Sequence, residues 1–284
     1  MQNSLSGLST VNVELTNRCN KDCWMCGRRK AERDYPELVL NYGDMEFSLV
    51  EKIAMQLPPN IVVQLHNNGE GLLYPRFGEA AMLFKGQIRN IVTNGKLLVK
   101  KANEIIGNLE TMAVSVFEND PEADEQYEIL QEFLSLKGNR KPYTNIRLNG
   151  NVDPTKYKNL SGLIIKRVLH SPMGSFNYKK DPTIPEIGIC LDFLHHMAIN
   201  REGKVSVCVR FDPKRLGVIG DANTHGLSQI WNSDLRKEWL ELHKQGSREK
   251  VPLCAYCQFW GVPTAGKSEK SGKDLNEYSI FSKD

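Results

Sequence analysis

The chain has no apolar run near the ~18 residues that a membrane-crossing helix needs, and its first ten residues, Met1 to Thr10, are polar rather than signal-like. It also lacks an excess of charge of one sign, since 37 Lys and Arg stand against 34 Asp and Glu. A balance this near neutrality gives no warrant for nucleic acid or an anionic membrane as a partner, although a nucleic acid or peptide substrate is not excluded. No internal repeat or low-complexity core interrupts the 284 residues. Cysteines are odd in number, seven, and closely spaced, which argues for metal or catalysis over disulfides in a compartment that keeps thiols reduced. The expectation is a cytoplasmic protein with no membrane partner.

Strand-like and helix-like segments alternate over the first 170 residues. Strands are expected over 11–15, 61–66, 90–93, 111–117, 144–148 and 164–169. Helices are expected over 48–57, 77–84, 98–107, 122–136 and 154–160. A parallel crossover needs an intervening helix, so this order predicts an α/β fold. Six units are fewer than the eight of a closed barrel, and the expected form is a partial (β/α)6 barrel of parallel strands over residues 8–185. Val11, Val13 and Leu15 alternate with Asn12, Glu14 and Thr16, and Ile146 and Leu148 alternate with Asn145, Arg147 and Asn149. A parallel strand covered on both faces should be nearly continuous in apolar residues. Polar residues at every second place predict one face on helices and the other lining a wet or ligand-filled lumen.

Past residue 171 prolines and glycines make an irregular linker. A hairpin is expected over 197–200 and 205–209, turning at Arg201-Glu202-Gly203. Apolar residues at Leu227, Ile230, Trp231, Leu235, Trp239 and Leu242 predict a helix over 227–245. This second unit spans 186–262, and 263–284 reads as a loose polar tail.

Two cysteine sets carry the chemistry. Cys19, Cys23 and Cys26 directly follow the first strand. Three thiolates spaced four and three apart can wrap one side of a cubane and leave its fourth iron without a protein ligand. Structural zinc prefers four ligands, and this loop offers no fourth Cys or nearby His. Cys190, Cys208, Cys254 and Cys257 supply four more thiols, which suit tetrahedral zinc and a closed cluster equally well. A zinc-binding scaffold without radical chemistry is therefore the non-enzyme alternative.

The first set resembles the radical S-adenosylmethionine superfamily, in which the cofactor's methionine amine and carboxylate chelate the open iron. The resemblance implies that the backbone of Met25 meets the adenine. Asn68-Gly69-Glu70-Gly71 stands where the family has Gly-Gly-Glu-Pro, a segment that holds the methionine amine; Asn68 and Gly71 depart from it. Thr93-Asn94-Gly95 matches the family's Thr-Asn-Gly, and Ser115 stands where the ribose is often contacted. The second set resembles the twitch domain, the shortened form of the SPASM extension. Gly217-Val218-Ile219-Gly220-Asp221 and Leu227-Ser228-Gln229-Ile230-Trp231-Asn232 support it. The implied cofactors are S-adenosylmethionine and two 4Fe–4S clusters, and the implied reductant is a flavodoxin or ferredoxin.

Similarity to the twitch-type dehydrogenases of aminoglycoside biosynthesis implies a small-molecule substrate, polyhydroxylated or sugar-like. The implied reaction is a two-electron oxidation with the auxiliary cluster as electron acceptor. A first strand near residue 11 leaves no room for a leader-binding domain, which agrees with that substrate class. Redox-neutral epimerisation or isomerisation, and modification of a peptide or nucleic acid, remain alternatives. Glu14, His66, Arg147 and His170 are the candidate catalytic residues at lumen faces and strand ends. Either histidine has the ordinary pKa of a proton acceptor, and Arg147 can fork onto a carboxylate or phosphate, or pair with Glu14.

Overall fold

The computed structural model describes residues 4–167, 174–177, 189–257 and 280–281. Six parallel strands come first: β1 Thr10–Val13, β2 Val62–Gln64, β3 Ile88–Thr93, β4 Thr111–Phe117, β5 Tyr143–Asn149 and β6 Leu163–Arg167. Helices α1 Gly27–Asp34, α2 Phe47–Ala54, α3 Phe77–Leu83, α4 Ala102–Ile105 and α5 Ala123–Lys137 lie between them. Each strand pairs in parallel with the next in the sequence.

The alternation in the sequence becomes two faces. Val11, Val13, Leu15, Val63, Leu65, Ile91, Ile146 and Leu148 are buried against Val50 and Ile53 of α2, Phe77 and Ala80 of α3, and Leu130 and Phe133 of α5. Asn12 and Glu14 are equally buried, but on the opposite face of β1. This is the arrangement of a barrel strand, whose polar inner side is sheltered without being apolar.

The sheet does not stop at six strands. Helix α6, Leu191–His195, leads into β7 His196–Ile199, which pairs in parallel with β1, Val11 lying opposite Met197. Strand β8, Lys204–Ser206, returns antiparallel to β7, and β9, Val218–Asp221, extends the sheet antiparallel to β8. Beyond it lie α7 Leu227–Trp231 and α8 Asp234–Lys244. Strand β10, Ile280–Phe281, closes the far edge antiparallel to β6. The order across the sheet is β10-β6-β5-β4-β3-β2-β1-β7-β8-β9, open at both ends.

Several local expectations need correcting. The segment 154–160 is a 3-10 turn, Pro154–Tyr157, because the Asp153 carboxylate accepts the amide of Thr155 and starts a tight turn rather than a helix. The helix expected over 227–245 is two helices, since Ser233 restarts the chain as N-cap of α8 by accepting the Arg236 amide. The second hairpin strand ends at Ser206, which puts Cys208 beyond the ladder. Helix α1, Gly-Arg-Arg-Lys-Ala-Glu-Arg-Asp, has no apolar period to announce it. In the expected loose tail, Ile280–Phe281 pair with the otherwise open edge of β6, where unpaired peptide groups favour strand addition. Among the described residues no helix is long and apolar enough to cross a membrane.

Candidate metal and cofactor site

The first cysteine loop leaves β1 at the C-terminal end of the parallel strands, where barrel folds place their chemistry. It is fastened from several directions. Asn17 donates to the carbonyl of Asn41 at 2.9 Å and accepts the amide of Gly43 at 2.8 Å. Arg29 donates to the carbonyls of Cys19 and Lys21. Lys21, buried within the loop, pairs at 2.6 Å with Asp120, which is buried in the β4–α5 connection. The amide of Cys26 donates to the carbonyl of Cys23, and Cys26 then begins α1.

Cys19 and Cys23 are not set up as nucleophiles. Burial raises the pKa of Cys19, and burial together with the neighbouring thiols pushes Cys23 up to about 12. An activated cysteine needs a cation or base to lower its pKa, and the main influence here works the other way. A bound metal reverses that logic by deprotonating its thiol ligands outright. Cys19 and Cys23 therefore fit ligands better than catalytic thiols, and with Cys26 the loop offers three thiols for three irons of a cubane.

The loop that follows β2 closes over this one. A Cβ on Gly69 would stand 2.4 Å from the carbonyl oxygen of Thr16 and 2.7 Å from that of Arg18, so only glycine allows the two loops to touch. The next amide, of Glu70, donates to that same Arg18 carbonyl at 2.8 Å. The Glu70 side chain is turned inward: it accepts from the Leu72 and Asn94 amides and from the Thr93 hydroxyl. Burial raises its pKa. Glu70 thus joins the β2 and β3 loops through its side chain. Asn94 in turn reaches the Cys19 sulfur at 3.8 Å and Asn20 at 2.9 Å. The Met25 side chain is buried. Gln126 on α5 donates to the carbonyls of Asn94 and Ser115, bracing both strand ends.

Inside the lumen Ser115 on β4 lies beside Arg147 on β5 in register. Burial, then the charge of Arg167, lowers the Arg147 pKa to about 10. The expected pairing of Arg147 with Glu14 does not form. Glu14 accepts instead from the backbone and side chain of Asn68 and from the amide of Arg201, and among the described residues Arg147 has no ion-pair partner. Burial raises the pKa of Glu14. His66 differs from the proton acceptor expected from its type. The Val92 amide donates to its Nδ1 at 3.1 Å, so the neutral ring carries its proton on Nε2. Burial, with the charges of Arg147 and His196, lowers its pKa to about 3, which makes it a donor near neutral pH. His170 lies outside the described residues.

The second cysteine set is built from parts far apart in the chain. Cys190 precedes α6, Cys208 follows β8, and Cys254 and Cys257 follow α8, with the Cys257 amide donating to the Cys254 carbonyl at 3.1 Å. All four line one cavity of about 350 Å³, together with Asp192, Phe193, Val207 and Leu253. Burial raises the pKa of Cys208 and lifts that of Cys254 well above its ordinary value. Among the described residues no group of three or more His, Cys, Asp or Glu is disposed to hold a single metal ion. A cavity walled by four thiols suits a cubane.

A separate cleft of about 600 Å³ reaches Cys208 of the second set and opens to solvent. Glu14, Asn17 and Asn68 from the barrel mouth line one side of it, and Asn200, Ser206 and Cys208 the other. The signals missed in the sequence are contacts of this kind. Lys21, Asp120 and Gln126 serve the site through partners distant in the chain, and no motif marks them.

The fold is an open, mostly parallel β/α barrel with a second cysteine-bearing unit carried on the same sheet. Residues 190–258 match the family SPASM, an iron–sulfur cluster-binding domain. Among solved structures the chain is similar to BtrN in complex with AdoMet and 2-DOIA, with a TM-score of 0.59 at 17% identity, covering 96% of this chain and 98% of that one. It is also similar to Streptococcus suis SuiB bound to the precursor peptide SuiA, with a TM-score of 0.56 at 14% identity over 90% of this chain and 72% of that one. A third similar structure is anSMEcpe with bound AdoMet, with a TM-score of 0.55 at 13% identity over 95% and 89%. At these identities the likeness is one of fold. No curated protein matches the sequence.

Proposed function

We propose that this chain is a radical S-adenosylmethionine oxidoreductase that removes two electrons from a small polyhydroxylated or sugar-like substrate. The observation that carries this reading is the polar cleft joining Glu14, Asn17 and Asn68 beside the first cysteine loop to Cys208 of the second set. A substrate lying there would meet Cys208 of the second set and residues that flank the first cysteine loop in the chain. When bound, the N-terminal cluster supplies the electron that cleaves S-adenosylmethionine to the 5′-deoxyadenosyl radical. Oxidation of an alcohol to a ketone would release one hydrogen atom to that radical, one proton to a base and one electron, and Cys190, Cys208, Cys254 and Cys257 would hold the cluster able to take that electron. The residues of the chain bind and orient. Arg147, buried without an ion-pair partner among the described residues, is placed to receive a carboxylate. His66 offers an Nε2–H donor, and Gly69 keeps the β2 loop against the cysteine loop. Similarity of fold to BtrN in complex with AdoMet and 2-DOIA supports a small ligand. A flavodoxin or ferredoxin is the proposed electron donor.

The test is anaerobic reconstitution with iron and sulfide, followed by reduction with dithionite in the presence of S-adenosylmethionine. About eight irons per chain are expected from two cubanes, together with 5′-deoxyadenosine. Replacing Cys19, Cys23 and Cys26 by Ala should leave about four irons and abolish the nucleoside product. With a polyol substrate, one S-adenosylmethionine consumed per ketone formed supports oxidation, and regeneration of the cofactor refutes it. A colourless protein that takes up only zinc refutes the whole reading.

A further inference from the structure

The auxiliary cavity has a charged residue on either side of its cysteines, and neither is needed to ligate a metal. Arg248 is 2% exposed and sits on a short turn, Arg248–Lys250, just past α8. Its Nη1 donates to the carbonyl of Cys254 and its Nη2 to that of Cys257 at 3.5 Å, so the guanidinium lies against the loop that carries both thiols. Glu249 is also within electrostatic reach of the guanidinium. Asp192 faces the same cavity from α6.

Two carbonyls could be held by a neutral amide. Enclosing a cation beside a cavity lined by Phe193, Val207 and Leu253 carries a desolvation cost that a neutral clamp avoids. That cost is offset only if negative charge gathers nearby. A cubane held by four thiolates is anionic, and it gains one more negative charge when it accepts an electron. Net charge around a cluster is one of the factors that set its potential.

We infer that Arg248 raises the electron affinity of the cluster held by Cys190, Cys208, Cys254 and Cys257, and that Asp192 lowers it. The pair poises this cluster to take the single electron left on the substrate carbon after hydrogen abstraction. One electron leaves the substrate radical as its proton leaves, and the cluster is reduced by one electron. The inference rests on the proposed oxidation only for its purpose; the effect on the cluster is measurable without any substrate.

The experiment uses the full chain with Cys19, Cys23 and Cys26 replaced by Ala, reconstituted so that only the auxiliary site is loaded. The midpoint potential is read by a redox titration followed by electron paramagnetic resonance. Arg248→Gln should shift the one-electron equilibrium at least tenfold toward the oxidised cluster, a change of about 59 mV. Arg248→Lys should retain most of the parent potential, and Asp192→Asn should move it upward. An unchanged potential in an iron-replete Arg248→Gln protein overturns the inference. If Arg248→Gln fails to load iron, Asp192→Asn decides, and an unchanged potential there is equally fatal. Absence of iron from the parent chain would instead refute the proposed function.

Discussion

His243, on α8, has 0% exposure, and neither ring nitrogen has a hydrogen-bond partner among the described residues. It stacks on Phe193 with ring centroids 4.6 Å apart, and burial lowers its pKa to about 4. In the unfolded chain the same ring titrates near its ordinary value of about 6.5. Between those two values the unfolded state binds a proton that the folded state refuses, so stability is lost as pH falls through this window. The expected loss from this one residue is roughly 3 kcal/mol between pH 7 and pH 4. Urea unfolding at several pH values should show it, and His243→Leu should remove that part of the slope. An unaltered slope in the variant would mean that the ring is protonated in the folded protein. His66 behaves differently as a residue: its chemistry is decided by one backbone amide, that of Val92, which occupies the nitrogen a base would use.

At the scale of elements, the site is a set of loops held at strand ends. The β2 loop and the cysteine loop meet at Gly69, where backbone faces backbone and no flexible side chain can give way. Gly69→Ala should force the loops apart, weaken the bond from the Glu70 amide to the Arg18 carbonyl, and cost ~1–3 kcal/mol in stability. Binding of S-adenosylmethionine, followed by calorimetry, should fall tenfold or more. Gly86→Ala, where nothing lies within 4 Å of the added carbon, is the control and should change neither quantity. Equal behaviour of the two variants would show that close approach at Gly69 is not needed. The buried Lys21–Asp120 pair ties the same cysteine loop to the β4–α5 connection. The cysteine loop is thereby held from both β2 and β4, although it belongs to neither.

For the whole molecule, the decisive feature is β7 beside β1. The strand that begins the second unit completes the first unit's sheet, and one apolar core runs from Val11 and Val13 through Met197 and Ile199 to Val205 and Trp231. Side chains reinforce the union. Trp231 donates to the carbonyl of Ser6 at 3.0 Å, Lys52 donates to the carbonyl of Asn223 at 2.8 Å, and Gln56 accepts the amide of Leu227. The metal-free chain should therefore unfold in one calorimetric transition, with calorimetric and van't Hoff enthalpies equal. Two separated transitions would show that the barrel and the cluster-binding unit fold independently.

By itself the sequence determined the order of strands and helices, the two-faced character of the barrel strands and the identity of the seven thiols. Each of these is written in local spacing: a period of two for strands, longer apolar periods for helices, and cysteines three or four apart. Val11 to Leu15 needed no distant partner to declare an apolar and a polar face. Tertiary structure decided the rest. It placed β7 parallel to β1, gathered Cys190, Cys208, Cys254 and Cys257 around one cavity, turned Glu14 toward Asn68 and Arg201 rather than Arg147, and set Arg248 against the last two cysteines. These outcomes depend on strand pairing and packing between residues remote in the chain, which no local pattern encodes; the Val92 amide on Nδ1 and burial together turned His66 from a proton acceptor into a donor.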